Sequence, residues 1–250
     1  AMRRLSTSAQ RVAVAVSGGV DSSVTALKLK EQGRAAFAIF MRNWDKQDES
    51  GGACNQDKDF EDASRVCTQI GLPLHEVSFQ KEYWNNVFAD FLDGYQAGVT
   101  PNPDVACNRL IKFDLLLKHV QALGASTLAT GHYARTDRGG LNGAPRLLRG
   151  VDDSKDQSLF LCMIKREVLN HIEFPIGAML KSEVRESARK TGLVTAEKKD
   201  STGLCFVGKR HFPTFMCTSP LCAHTLMSGH ANPEHVASTL RPPLQLTTRP

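Results

Sequence analysis

The stretch RVAVAVSGGVDSS, residues 11–23, decides the fold. RVAVAV (Arg11 to Val16) is a short β-rich run, and the spacing from about Asp21 to Gln32 predicts a helix that stops at Gly33. Two glycines, three serines and a fixed negative charge therefore sit at one strand-to-helix joint. Glycines permit positive φ and let an anion approach the backbone closely. A helix start leaves N–H groups without intrahelical partners and carries partial positive charge. Ser17, Ser22 and Ser23 can donate further hydrogen bonds. Ala15, Val16, Ser17, Gly18, Gly19, Val20, Asp21 and Ser22 thus form a candidate cradle for a phosphate or pyrophosphate. Asp21 would repel that anion unless Mg²⁺ bridges carboxylate and phosphates; it can equally serve as a helix cap. The lysine of the G-x-x-x-x-G-K-[ST] loop is absent here, and the pattern is not a dinucleotide fingerprint.

Beyond this joint, AAFAIFM (Ala35 to Met41) is continuously apolar, as expected for a strand buried on both faces. Polar residues follow as a loop. Phe60, Ala63, Cys67 and Ile70 keep helical spacing until Gly71 and Pro73, and LHEVSF (Leu74 to Phe79) reads as the next strand. Trp84, Val87, Phe88, Phe91, Leu92 and Tyr95 mark one face of an amphipathic helix. A helix at about Asn108 to Leu123 and a strand at Ser126 to Thr130 come next, then a turn at Asp137 to Pro145 between two short strands. From Gln157 to about Lys190 the pattern is helical, interrupted near Phe174 to Gly177. This alternation specifies an α/β fold, a doubly wound parallel sheet covered on both faces. In such sheets ligands bind beyond the carboxyl ends of the strands. The polar segments 17–23, 42–56, 98–107 and 131–133 follow or flank those ends.

The chain has 250 residues, 41% hydrophobic and 23% charged, enough for one large domain or two smaller ones. No apolar run approaches the roughly 20 residues that span a bilayer. The net charge of +5 suits either plain solubility or a nucleic-acid partner. Residues 1–10 are basic and hydroxyl-rich, with no acid before Asp21, which suits an organelle transit segment or a frayed terminus. Seven cysteines without a disulfide framework favour a reducing compartment. After Phe215 the chain carries Pro220, Pro233, Pro242, Pro243 and Pro250 and no sustained period, so residues 216–250 read as an irregular tail.

S-G-G-x-D-S after a strand resembles the PP-loop of ATP pyrophosphatases, which cleave ATP between its α- and β-phosphates and adenylate an oxygen of their substrate. Phe40 to Asp45 (FMRNWD), Thr100 to Phe113 (TPNPDVACNRLIKF), Ala129 to Ala134 (ATGHYA), Lys155 to Leu161 (KDQSLFL) and Asp200 to Arg210 (DSTGLCFVGKR) follow in order. Together, over about residues 11 to 215, they are similar to the tRNA-specific 2-thiouridylases, which place sulfur on carbon 2 of the wobble uridine. The resemblance implies a PP-loop domain at 11–150, a small, mainly helical central tRNA-binding domain at 151–215, and ATP with Mg²⁺ as cofactors. The implied partners are a tRNA and a persulfide sulfur donor such as a cysteine desulfurase relay, with no membrane and a monomeric state. The GACNQDKDFEDA segment looks more like mitochondrial members, which favours the mitochondrial matrix over a bacterial-type cytoplasm. Family members continue into a C-terminal β-barrel, a region that the tail here does not match.

By the same resemblance, Met41 and Gly131 contact the adenosine, although a strand-end core methionine and a turn glycine are the plain readings. Asn102, Pro103 and Asp104 face the flipped uracil, or simply make a tight turn. Lys155, Asp156 and Gln157 lie against the tRNA, with Asp156 able to cap a helix instead. Sulfur transfer wants two thiols, since a persulfide's terminal sulfur is held only by a weak S–S bond. The family pattern makes Cys107 the nucleophile and Cys205 the persulfide carrier, ending the cycle as a disulfide. Cys107 falls just before the expected helix, where the dipole would favour the thiolate. Cys67 and Cys162 read as core, and Cys54, Cys217 and Cys222 as bystanders. His132 is either a general acid or a site-shaping hydrogen bonder. Residues 181–210 hold eight Lys or Arg against four Asp or Glu, a candidate tRNA-backbone surface or an ordinary solvated face. Two other readings stand beside the active sulfurtransferase: a catalytically weak nucleotide-binding remnant, and another PP-loop tRNA-modifying enzyme.

Overall fold

Val12–Val16 (β1) is hydrogen-bonded on both edges, to Ala35–Arg42 (β2) on one side and Thr127–Ala129 (β4) on the other, and both pairings are parallel. The computed structural model describes residues 11–44 and 55–200. Leu74–Ser78 (β3) pairs outside β2, and Ile172–Glu173 (β7) pairs outside β4, both parallel. The order is therefore β3-β2-β1-β4-β7. The chain winds outward from β1 in one direction through β2 and β3, then returns to β1's other edge. That reversal puts the topological switch between β1 and β4, where an open α/β sheet leaves a crevice. Ala134–Asp137 (β5) and Arg146–Arg149 (β6) form a separate antiparallel hairpin, as the glycine-rich turn between them predicts.

Alternation along β1 and β2 sends side chains to two different cores. Ala13, Phe37 and Ile39 point to one face, with Phe113, Leu116, Leu128, Leu161 and Phe174. Val12, Val14, Val16, Ala38 and Phe40 point to the other, with Ala26, Leu29, Ala63 and Cys67. A strand buried on both sides has no polar face, which is why AAFAIFM is apolar throughout. The second face is covered by Val20–Glu31 (α1) and Asn55–Ile70 (α2). Lys181–Lys190 (α5) joins them by packing Val184 and Ala188 against Val24 and Leu27. The first face is covered by a continuous helix over 103–122 (α4), made of Pro103–Cys107, a π-wound stretch Asn108–Leu116, and Leu117–Ala122. A further helix over 80–96 (α3), with one π-wound turn at Trp84–Phe88, follows β3.

Three sequence expectations change. The helix expected at about Asn108 begins at Pro103, because Asn102 caps it, accepting from the N–H groups of Asp104 (3.0 Å) and Val105 (3.3 Å). Asparagine at the cap and proline in the first turn are a standard helix start. The helix expected from Gln157 is replaced by 3₁₀ turns at Ser158–Leu161 and Arg166–His171 and by β7; only α5 is a regular helix. Ile172 gains ladder pairing with Leu128, and Pro175 then breaks any continuation. The tighter 3₁₀ winding turns Leu161 inward and leaves Cys162 exposed, so Cys162 is not a core residue, whereas Cys67 is. The sheet also draws β7, and its second face draws α5, from beyond residue 150. The described residues fall within the compact unit Ala1–Ser201; Cys54, Cys205 and the tail lie outside the described residues.

Leu128, fully buried in β4, touches the core on which the switch depends. Leu128→Ala is expected to cost about 2–5 kcal/mol, whereas Leu141→Ala, at a position 92% exposed, should stay within about 0.5 kcal/mol. Urea unfolding midpoints of the two variants check this.

Candidate nucleotide and sulfur-transfer site

β1 ends at Val16, and the chain turns through Ser17, Gly18 and Gly19 into α1. Gly18 has φ +72°, and a Cβ there would lie 2.1 Å from the Asp59 carbonyl oxygen of α2. Both constraints demand glycine. Gly19 is extended and caps α1. The first α1 donor to bond back is Ser23 N–H, onto the Gly19 carbonyl at 3.1 Å. The N–H groups ahead of it, at Val20, Asp21 and Ser22, have no intrahelical acceptor. Ser22 and Ser23 do not aim their hydroxyl protons at an incoming anion as expected. Both donate to the Gly19 carbonyl, at 3.0 and 2.8 Å. Ser17 N–H donates in turn to Ser22 Oγ (3.1 Å). The serines thus brace the loop, and the backbone does the presenting. These residues fit a bound phosphate: a glycine bend with no room for a side chain opens onto orphan N–H groups of a three-turn helix.

Gly131, two residues past β4, packs against that same first turn. A Cβ on it would come within 2.8 Å of Ser22 N. Glycine is required there for close approach across the switch crevice, whatever else the residue touches. Ala15 and Met41 are half-buried on the first face of the sheet, at the carboxyl ends of β1 and β2.

Asp21 is the second residue of α1 and is tied to two distant segments. Lys181 Nζ bonds both its oxygens, at 2.8 and 2.7 Å, and Tyr133 Oη donates to Oδ1 at 2.7 Å. Lys181 also reaches Asp200 at 2.8 Å and lies over the Tyr133 ring. Asp200 in turn holds Lys155 (3.0 Å) and Arg185 (2.7 Å). Both oxygens of Asp21 are thus engaged, and its charge is matched by the Lys181 ammonium. Among the described residues, no cluster of three or more His, Cys, Asp or Glu is arranged to hold a metal.

Residues 155–157 are brought to the same network. Gln157 N–H donates to the Tyr133 carbonyl (2.9 Å), and Gln157 Oε1 accepts from Tyr133 N–H (3.0 Å). Asp156 accepts from Gly150 N–H (2.8 Å), Ser158 Oγ (2.8 Å) and Arg149 Nε (3.2 Å). Partial burial opposes its ionisation, but these hydrogen bonds win and hold its pKa below the usual carboxylate value. Asp156 thus folds the turn that presents Lys155.

Cys107 and the 102–104 segment lie at the adjoining strand. Cys107 is 5% exposed in the second turn of α4, not ahead of a helix, so the expected dipole assistance to its thiolate lapses. Its Sγ receives Asn43 Nδ2 at 3.9 Å. Asn43 follows β2, and Trp44 pins that strand end among Tyr83, Trp84 and Phe88. Arg42 pairs with Glu76 and with Asp57. Arg42, Asn43 and Trp44 therefore anchor the end of β2 beside Cys107. Asp104, in the first turn of α4, has a raised pKa because burial outweighs the field of Lys112. His132 is kept neutral by burial, with Lys112 adding to the effect, and its Nδ1 is 2.7 Å from Thr130 Oγ1.

A parallel sheet with a glycine bend and orphan helix-start amides at its switch point makes an α/β fold with a candidate phosphate-binding bend. The chain belongs to the tRNA methyl transferase HUP domain family, whose profile matches residues 10–209. It is 56% identical over 206 residues to the tRNA-specific 2-thiouridylase MnmA of Bacillus licheniformis, covering 82% of this chain and 55% of that one. The MnmA of Bacillus subtilis strain 168 matches equally, at 56% over 206 residues with the same coverage. The chain thus spans about half the length of these relatives. Among solved structures, a 4-thiouridine synthetase in complex with RNA and bound ATP superposes with a TM-score of 0.47 at 15% identity, over 92% of this chain and 52% of that one.

Lys181, Tyr133, Asp200 and Asn43 belong to the site and were not singled out from sequence. Lys181 carries no local motif, whereas Asn43 lay in plain view within FMRNWD. Asp200 has its pKa lowered to about 2, because bonds to Lys181 and Lys155 overcome the opposing effect of partial burial. Its stabilising contribution is therefore complete above about pH 3.8 and is lost as pH falls towards 2. Asp200→Asn should flatten the fall in stability across that window, read as unfolding midpoint against pH. Gly131→Ala should weaken ATP binding about tenfold by displacing the first turn of α1, measured by calorimetric titration.

Proposed function

We propose that the chain carries out ATP-dependent 2-thiolation of the wobble uridine of tRNA. One observation carries the reading: a phosphate cradle at the end of β1 and a buried thiol, Cys107, beside the end of the neighbouring strand β2. The 2-thiouridylase relatives support the same chemistry. A uracil O2 is a poor leaving group. In the proposed first step O2 attacks the α-phosphorus of ATP, the bond to the bridging oxygen breaks and pyrophosphate departs. The amides at the start of α1 stabilise charge on the departing phosphates. In the second step the terminal sulfur of a persulfide on Cys205 attacks carbon 2, and AMP leaves with O2. Attack of the Cys107 thiolate on the inner sulfur then releases the sulfur to the base and leaves a Cys107–Cys205 disulfide, which an external thiol must reduce.

Met41 and Gly131 would border the adenosine. Asn102, Pro103 and Asp104 would read the uracil, and the turn at Lys155, Asp156 and Gln157 would meet the tRNA. With Asn102 spent as a cap through Oδ1, its Nδ2 is the atom left for a base edge. Mg²⁺ would arrive with the phosphates, and Asp21, in the first turn of α1, is the carboxylate that would meet it. The remaining elements of the proposal are a persulfide relay as donor, a monomeric chain and a mitochondrial site of action. The last rests on residues 1–10 and the GACNQDKDFEDA segment alone, and the relatives described above are bacterial. No helix among the described residues is long and apolar enough to cross a membrane.

Incubating the full chain with ATP, Mg²⁺, a persulfide donor (a cysteine desulfurase with free cysteine) and a substrate tRNA should yield AMP and a wobble uridine heavier by the exchange of oxygen for sulfur. Cys107→Ser should abolish the mass gain while leaving ATP affinity within twofold. AMP release without tRNA dependence, or thiolation undiminished in the variant, would refute the assignment.

A further inference from the structure

The loop at the end of β1 has no lysine of its own, and the fold brings one to it from a distant segment. Lys181 is the first residue of α5, 160 positions after Asp21, yet its ammonium sits on the first turn of α1. Its side chain is only 12% exposed, in a crevice walled by Tyr133, Asp21 and Asp200. The backbone is placed to deliver it. Asp152 accepts from Lys181 N–H at 2.9 Å, Glu183 reaches back to Leu180 N–H at 2.7 Å, and Val184 and Ala188 lock α5 onto α1. Asp152 is itself held ionised, its pKa lowered first by that backbone bond.

We infer that Lys181 is the phosphate-binding lysine of this site, supplied in space rather than in sequence, and that it contacts the β- and γ-phosphates of ATP. This rests on the nucleotide reading of the loop given above. Three ammonium hydrogens are shared between two carboxylates, Asp21 and Asp200, which hold the charge beside the orphan amides of Val20, Asp21 and Ser22. A polyphosphate settling on those amides is a stronger anion than either carboxylate and competes for the same ammonium. Lys181 then moves a short way along a flexible stem, while Tyr133 Oη keeps its bond to Asp21. Placed so, the ammonium meets the charge that builds on pyrophosphate as it leaves. A lysine serves where an arginine would not, since a compact point charge with rotatable donors can change partners without rebuilding a planar fork. Lys155 and Arg185 stay on Asp200 and compensate that carboxylate when Lys181 shifts.

The test is calorimetric titration of the full chain with ATP and, separately, with AMP, which lacks the β- and γ-phosphates. Lys181→Met should weaken ATP at least tenfold and AMP less than twofold, and Lys181→Arg should recover only part of the loss. Asp200→Asn removes the competing carboxylate and should tighten ATP two- to threefold with AMP unchanged, an opposite sign that no loss of folding can imitate. Equal losses for ATP and AMP in Lys181→Met, with Asp200→Asn neutral, would reduce Lys181 to a structural ion pair and overturn the inference. A wild-type chain that binds neither nucleotide would instead remove the nucleotide reading itself.

Discussion

β1 is paired along both edges and buried on both faces, and its last residue opens onto the point where the sheet reverses its winding. A strand in that position cannot shift register without exposing one of two cores. The bend at Ser17–Gly19 is therefore held in place by apolar packing of the valines and alanines before it. Its orientation is then fixed from three sides. Asp59 of α2 closes over Gly18, Gly131 presses on Ser22, and Lys181 ties Asp21 to α5. Backbone amides aimed from so rigid a platform need no reorganisation when charge arrives, which is the condition for electrostatic catalysis.

The two halves of the proposed chemistry use different physics. The phosphate side is an ionic network, in which Asp21, Lys181, Asp200, Lys155 and Arg185 share charge within a partly buried crevice. Such a network is worth little as stabilisation of the fold, because desolvation offsets much of the attraction. Its use lies in holding cations where an anion will come. The thiol side is set by burial. Cys107 is buried, Asn43 Nδ2 lies on its Sγ, and Phe113 follows further along the same helix. A buried thiol is protected from adventitious oxidation and depends on its reaction partner to reach it.

The parts of the fold that repeat a short pattern were legible in the sequence. RVAVAV and AAFAIFM announce two-sided strands, and S-G-G-x-D-S announces the bend, because each is a local solution to a local constraint. The parts that depend on distant partners were not. Lys181 meets Asp21 only after α5 packs on α1, and nothing within ten residues of either announces the other. The 157–180 region was misread because its helical spacing lost to strand pairing at Ile172, a tertiary gain that no window on the sequence contains. Asn102 is the instructive middle case: N-P-D was read as a turn or a base contact, yet it is also the standard opening of a helix, and that start moved Cys107 from ahead of the helix into its second turn.

The bend at the end of β1 as the nucleotide's phosphate grip is the claim on which the rest stands. Amide hydrogen exchange of the full chain, with and without saturating ATP, tests it directly. The account predicts slowed exchange concentrated in peptides covering 17–23 and 129–134; protection confined to other segments, or no change at the bend under saturation, would contradict it.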